Sequence, residues 1–445
     1  MMNEPAAYGL VDKAVPFFFA LIAVELLASR ISRRRVYRLN DSIADLTLGG
    51  VSELAGMGTK VLMVAIYVLI SDHLSLQVLA GVPAIPASNP FGPHGIDWVV
   101  LGWWILAFLL VDHQYYWGHR FCHEVNLAWS AHVAHHSSEE FNLVVALRQS
   151  ATQSLFTMWF YFPLAFVGFT VVHFVVCLGI NLIYQFWVHT RLIGRLGPIE
   201  WIMNTPSHHR VHHGRNPKYI DCNHAGVFIL WDRLYGTFVR EEEEPVYGLT
   251  SQLSSHNPIW SNIHHYVFVW RTFHQAHGLR DKLLVLLGKT GWRPDYLGGP
   301  ILPSELPADY TKYDPVPARP VAIYVTVQFV IATVMSLVIT THAATADRPE
   351  YWLIAGGIVL TLFSFSNAAS MLDGRRWVAP AEVVRLLAML GFALVLMATR
   401  AVAAPWCLAV AMIAVSSLAG LFVVVARRDR AGAAGSLPHA SGNQV

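Results

Sequence analysis

Nine apolar stretches dictate what this chain can fold into. They run at about 14–29, 46–70, 97–113, 153–169, 171–188, 323–341, 351–370, 384–399 and 405–426. A helix needs about 20 apolar residues to cross the ~30 Å hydrocarbon core of a bilayer. In lipid the backbone must satisfy its own hydrogen bonds, so such stretches become helices. The chain is 54% hydrophobic and only 13% charged, about half the charged share of a soluble domain. The expected fold is an all-α polytopic membrane protein with about nine transmembrane helices. The first stretch follows Asp12 and Lys13 and lacks a small-residue cleavage pattern, so it reads as a retained anchor.

Basic residues orient the spans. Arg30, Arg33, Arg34, Arg35 and Arg38 follow the first span, which places that loop in the cytoplasm. The loop from Ser71 to Ile96 holds no Lys or Arg and falls outside. Arg375 and Arg376 fall in an inside loop, and Arg427, Arg428 and Arg430 end the last span inside. The amino terminus is then outside and the carboxyl terminus inside. The expected organisation is 1–112 amino-terminal spans, 113–277 catalytic domain, 278–322 Gly/Pro-rich linker, 323–426 four-helix membrane region and 427–445 disordered tail. In this scheme 153–188 is an apolar hairpin. A net charge of +2 gives no sign of a nucleic-acid partner. The four trailing spans show no obvious chemistry, and Glu241 to Glu244 reads as a solvated loop.

Histidine carries the chemical signal. Three boxes sit at the ends of spans: His119-x3-His123, His132-x2-His135-His136 and His209-x2-His212-His213. With 22 histidines in 445 residues, an x2-HH box arises by accident roughly 0.05 times in such a chain. Positions i, i+3 and i+4 share a helix face, so each box is expected to aim its imidazoles at one point. His189, one turn after Gln185 at the end of the fifth stretch, is a ninth candidate ligand. His208 and His113 point elsewhere, His224 is a candidate cavity-lining residue, and the pair His264 and His265 reads as structural. The cysteines Cys122, Cys177, Cys222 and Cys407 show no metal or disulfide spacing.

Nine imidazoles are too many for one zinc, which takes four ligands. They fit two ions. Imidazole suits iron, copper and zinc, but zinc has no redox chemistry. A two-iron site facing lipid points to oxidation of a C–H bond by dioxygen. Metal-bound imidazoles give their second N–H to a carboxylate or carbonyl. Asp112, Glu124, Glu139, Glu140, Asp221 and Asp232 are the nearby carboxylates, with Glu124, directly after His123, as the first choice. There is no G-x-S-x-G, so a serine hydrolase is not indicated.

These residues resemble a known family. The boxes are similar to those of the fatty acid hydroxylase and sterol desaturase superfamily of membrane di-iron enzymes. The stretches DHQYYWGHRFCHEVNLAWSAHVAHHSSEEFNLVVALRQS, NTPSHHRVHHGRNPKYIDCNHAGVFILWDRLYGTF, PVYGLT and GKTGW narrow the resemblance to the alkylglycerol monooxygenases, over roughly 12–425. The resemblance implies a cytoplasm-facing di-iron site held by His119, His123, His132, His135, His136, His189, His209, His212 and His213. It implies a glutamate role for Glu124, and it implies cofactors of two Fe ions with tetrahydrobiopterin as a candidate electron donor. Family members usually carry tyrosine where this chain has His224. The implied reaction hydroxylates the carbon beside the ether oxygen of an alkylglycerol lipid and releases a fatty aldehyde and a glycerol product. Partners would be the lipid, dioxygen, the membrane and an electron donor, either a pterin or a redox protein. Ala-, Arg- and Gly-rich composition points to a bacterial inner membrane; a eukaryotic chain would belong in the endoplasmic reticulum. The alternatives are a hydroxylase or desaturase of a sterol, hopanoid or fatty acyl lipid, a zinc hydrolase, and a non-catalytic metal-binding or transport protein.

Overall fold

A computed structural model describes residues 10–93, 95–303, 305, 310–345 and 350–434. The described residues are mostly helical, and their only strands are the short pair Phe91–Gly92 and Gly95–Ile96. The chain forms two compact units. The first comprises Met1–Ser254 and Ile259–Tyr313, the second Ser255–Pro258 and Asp314–Val445.

Five helices of the first unit matter here: α1 (Leu10–Ile31), α2 (Leu39–His73), α3 (Trp98–Glu124), α4 (Val171–Trp187) and α5 (Pro206–His212). Asp97 starts α3 by accepting from Val99 N and Val100 N, both at 3.1 Å, which satisfies two of the free donors at a helix start. At 27 residues, α3 is about 40 Å long and overshoots the hydrocarbon by about two turns. The first histidine box lies in that overshoot. Tyr67 of α2, fully buried, donates to the Phe169 carbonyl at 3.0 Å and stacks on Phe174 of α4.

Among the described residues seven helices are long and apolar enough to cross a membrane, two fewer than expected, and they mark an integral membrane protein. The difference lies in 153–188. Residues 153–169 break into Gln153–Thr157, Met158–Tyr161 and Phe162–Val167. Pro163 opens the last piece and Gly168, at φ 107°, ends it. At φ 107° any residue with a Cβ would be strained, so this turn favours glycine. The following α4, at 17 residues, reaches about 25 Å and falls short of the hydrocarbon thickness.

The stretch read as a linker begins as a docked helix. Gly278–Leu287 packs Val285 against Val269 and Ala276. Its Val285 carbonyl accepts from Asn126 Nδ2 at 2.8 Å, and Thr290 of the GKTGW turn donates to the His123 carbonyl. The linker therefore braces the end of α3.

The second unit contains α6 (Arg319–Thr345), α7 (Tyr351–Leu372), α8 (Val378–Thr399) and α9 (Ala404–Ala434). Although no obvious chemistry is expected of these spans, they enclose a buried ion pair. Arg385, 1% exposed, pairs with Glu382 at 2.6 Å and donates to Gln328 and Ser364. Tyr324 and Asn367 donate to the same carboxylate, each at 2.6 Å. One buried ion pair thus ties three helices together. The expected disordered tail at 427–445 begins inside α9, which continues to Ala434; the rest lies outside the described residues.

Candidate metal centre

The nine expected histidines come together in two buried groups. His119, His123, His132, His136 and His212 form the first; His135, His189, His209 and His213 form the second. Within each group one ligand nitrogen per residue lies within 4.8 Å of every other. No member is more than 6% exposed.

The boxes do not each serve one point. Box two sends His132 and His136 to the first group and His135 to the second. Box three sends His209 and His213 to the second group and His212 to the first. Helix geometry explains the division. At about 100° per residue, i and i+4 lie about 40° apart, whereas i+3 falls about 60° to the other side. Each x2-HH box therefore bridges two centres. The groups touch where the rings of His136 and His213 stack, 4.2 Å apart.

Most of these rings have a fixed orientation. Nδ1 of His119 donates to the His224 carbonyl at 2.8 Å, His135 to Arg148 at 2.7 Å, His189 to Gln185 at 2.8 Å and His212 to Cys222 at 2.9 Å. His132 donates to the Gln153 side chain at 3.1 Å, and His123 Nδ1 lies 3.5 Å from Asp221. A proton on Nδ1 leaves Nε2 as a free lone pair. Those Nε2 atoms converge: His119 to His132 at 2.9 Å, His123 to His136 at 3.1 Å, His132 to His136 at 3.2 Å and His189 to His209 at 2.9 Å. Burial pushes the His132 imidazole down to about 3 and His135 to about 4. His136, His189, His209, His212 and His213 fall well below the ordinary histidine range, from burial first and neighbouring imidazoles second. All seven are neutral at pH 7, the form that binds metal.

Do these residues fit an ion? One shared proton can explain one close pair of nitrogens but not a converging set. Buried Nε2 of His212 and of His213 has no hydrogen-bond partner. With nitrogen about 2.1 Å from a divalent ion, ligands at right angles sit about 3.0 Å apart, close to the spacings observed. The donor set fits two ions.

Behind the ligands stand charged side chains that grip backbone groups and one another. Arg148 clamps box two: it donates to the Ala134 carbonyl at 2.6 Å and to Ser137 at 2.6 Å, and pairs with buried Asp45 of α2 at 2.8 Å. Arg210 of α5 holds Glu241 through two bonds of 2.7 Å. Glu242 and Glu243 lie against Lys218, and Glu244 against Arg191, so the glutamate run is a solvated loop, as expected, whose exposed carboxylates form surface ion pairs. Asp232 accepts from His224 N at 2.7 Å and Ala225 N at 2.8 Å, and so fixes the carbonyl that orients His119. Asp112 accepts from Asn181, Val227 N, Phe228 N and Trp231. A Cβ at Gly226 would lie 2.8 Å from that carboxylate, so this close approach requires glycine.

The remaining expected residues fall around the groups. Glu124, 35% exposed in its side chain, pairs with Arg120 at 2.8 Å. The carboxylate facing a box histidine is Asp221, raised to about 6 by burial and, secondarily, by Glu124. Gln185 orients His189 through its carbonyl, while its side chain donates to Asn181. His224 is fully buried 5.0 Å from the His123 ring, and neither ring nitrogen has a partner. Burial pushes its imidazole down to about 3. His208 packs on Phe238, His113 bonds Tyr235, and His265 bonds Asn126, all outside the groups. The four cysteines are free and buried.

Comparison with known proteins gives concordant matches. Residues 104–237 match the family model for fatty acid hydroxylase. An alkylglycerol monooxygenase of Xenopus tropicalis is 40% identical over 385 residues, covering 85% of this chain and 81% of the relative. The alkylglycerol monooxygenase of Homo sapiens is 39% identical over 388 residues, with the same coverage, 85% and 81%. The ornithine lipid hydroxylase OlsE of Rhizobium tropici is 26% identical over 194 residues, 43% of this chain and 54% of that one. No solved structure matches.

Proposed function

Because this chain belongs to the alkylglycerol monooxygenase family, we propose that it is a membrane di-iron monooxygenase that cleaves the ether bond of an alkylglycerol lipid. The observation that carries the reading is the pair of buried all-imidazole groups, with no carboxylate among them.

The proposed ligands are His119, His123, His132, His136 and His212 for one ion, and His135, His189, His209 and His213 for the other. Two iron ions held there would supply activation of dioxygen, which zinc cannot. The chain's own residues set the conditions. Neutral imidazoles would leave the charge of bound ions uncompensated by the protein. Backbone carbonyls hold His119, His135, His189 and His212 in the metal-binding tautomer. Burial keeps bulk water away from the oxidising centre. We place Glu124 behind Asp221, as a carboxylate acting through it on His123.

Overall, one oxygen atom enters the C–H bond beside the ether oxygen and the other leaves as water. Two electrons and two protons come from a pterin or a redox protein. The resulting hemiacetal collapses to a fatty aldehyde and a glycerol. The arginines after α1 and at 375–376 support a cytoplasmic side for the site, and seven spans with the broken hairpin 153–188 keep the same parity. A bacterial host would hold the protein in its inner membrane, a eukaryotic host in the endoplasmic reticulum.

The test is turnover of a 1-O-alkylglycerol by membranes containing iron-loaded protein, with and without tetrahydrobiopterin. Aldehyde that appears only with the pterin supports both substrate and donor. Aldehyde without it changes the donor. No aldehyde from protein holding two irons moves the reading to hydroxylation of another membrane lipid, in line with the match to the ornithine lipid hydroxylase.

A further inference from the structure

Asp112 sets the depth of an element that is not itself a membrane span. Counting about 20 residues of hydrocarbon thickness from Trp98 puts the far boundary of α3 near residue 118. Asp112 lies about 9 Å short of it, inside the lipid layer. Its carboxylate accepts from Val227 N at 2.7 Å, Phe228 N at 3.0 Å and Trp231 Nε1 at 2.8 Å. Phe108 meets Phe228 edge-on at 5.9 Å, and His113 bonds Tyr235 at 2.8 Å. Residues 226–235 therefore run beside α3 at acyl-chain depth, although they belong to a largely polar stretch of sequence.

A second segment is attached to the first. Met203 and Phe228 form a β-bridge, and Asn204 N donates to the Val227 carbonyl at 2.7 Å. The two segments expose large apolar side chains: Trp201 is 68% exposed, Leu234 67%, Ile199 52%, Ile202 51% and Leu230 43%. Such a concentration on a water-facing surface is uncommon and marks an interaction site. The only cation among them, Arg233, has its guanidinium over the Trp201 and Phe238 rings.

We propose that the surface built from Ile199, Trp201, Ile202, Leu230 and Leu234 is immersed in the acyl chains of the leaflet next to the histidine groups, while Glu200 between them turns back to Leu196 N, Thr205 and Ser207. The occupant follows from depth and continuity: α3 exposes Ile105, Leu106 and Leu109 to lipid along the same helix that sets the depth of 226–235. The catalytic unit then rests in the leaflet instead of standing above it, and a lipid tail meets it without leaving the bilayer. The assignment does not depend on the metals or on the substrate.

The four native cysteines are buried, so single surface cysteines can be labelled with a nitroxide in the full-length protein. Ile202→Cys and Leu234→Cys would be reconstituted in phosphatidylcholine vesicles, with Glu242→Cys, 67% exposed in the glutamate run, as the aqueous reference. Collisions with oxygen, which enters lipid, are compared with collisions with a water-soluble nickel chelate. The expected oxygen-to-nickel ratio at 202 and 234 is about five-fold or more above that at 242, as for side chains ~5–10 Å into the interface. Equal ratios at all three positions would overturn the proposal. Spin–spin broadening that vanishes on dilution with unlabelled protein would also overturn it, by assigning the surface to a second copy. If one variant fails to insert, the other carries the comparison.

Discussion

His119 gives its Nδ1 proton to the main-chain carbonyl of His224, 2.8 Å away. The histidine side chain at 224 is therefore not what orients this ring; the loop is, held by Asp232 through His224 N and Ala225 N.

It follows that His224→Tyr should keep both metals. The carbonyl survives the substitution, and the ring lies outside both groups. Metal analysis of the purified protein should give the same two ions per chain as the parent. Loss of one ion would make the His224 ring a ligand and contradict the division made here.

Asp221 and Glu124 should separate cleanly. Asp221 faces His123 Nδ1 at 3.5 Å, whereas Glu124 pairs with Arg120; both carboxylates are partly exposed, so it is the partner and not the burial that separates them. Loss of a carboxylate behind a metal-bound histidine typically lowers affinity ~10–100-fold. A chelator competition titration should show that fall for Asp221→Asn. Glu124→Gln should move it much less, since an exposed ion pair contributes about 0–1 kcal/mol. The reverse order would restore Glu124 as the residue behind His123.

His189→Ala removes a proposed ligand that no x2-HH box supplies and that lies in the second group alone. Iron content should fall from two toward one per chain, turnover should disappear, and the protein should remain membrane-inserted. Full turnover by this variant would refute the ligand assignment.

The second unit offers a test of membrane stability. Removing one partner of a buried ion pair typically costs about 3–5 kcal/mol, while replacing both by apolar groups is close to neutral. Arg385→Leu should therefore unfold far more readily in a denaturing detergent titration than the double variant Glu382→Leu with Arg385→Leu. Equal loss in both would mean that the pair contributes through Tyr324 and Asn367 as well.

That the box histidines gather was legible in the sequence, because imidazoles spaced by three and four residues leave a signature that depends on nothing distant. Their division between two centres was not. The boxes were read as aiming at single points, but the angle separating i+3 from i+4 matters only when a second centre waits on the other side. The supports were hidden for a different reason: backbone carbonyls of Arg148, Gln185, Cys222 and His224 carry no side-chain signal. Long apolar helices were evident from composition, whereas 153–188 looked like two more spans because hydropathy does not register the break that Pro163 and Gly168 impose. The pair Glu382 and Arg385, one helical turn apart within an apolar run, was a readable cue that went unused.

The division of the boxes also gives the site an order of construction. Four of the five imidazoles in the first group come from residues 119–136, whereas three of the four in the second come from 189–213. The first pocket closes over a short length of chain and needs only His212 from further on. The second has a single early contributor, His135, and waits for everything else. During synthesis one half of the centre can take shape while the other does not yet exist, and a chain stopped near residue 188 would present one nearly formed pocket and a solitary His135.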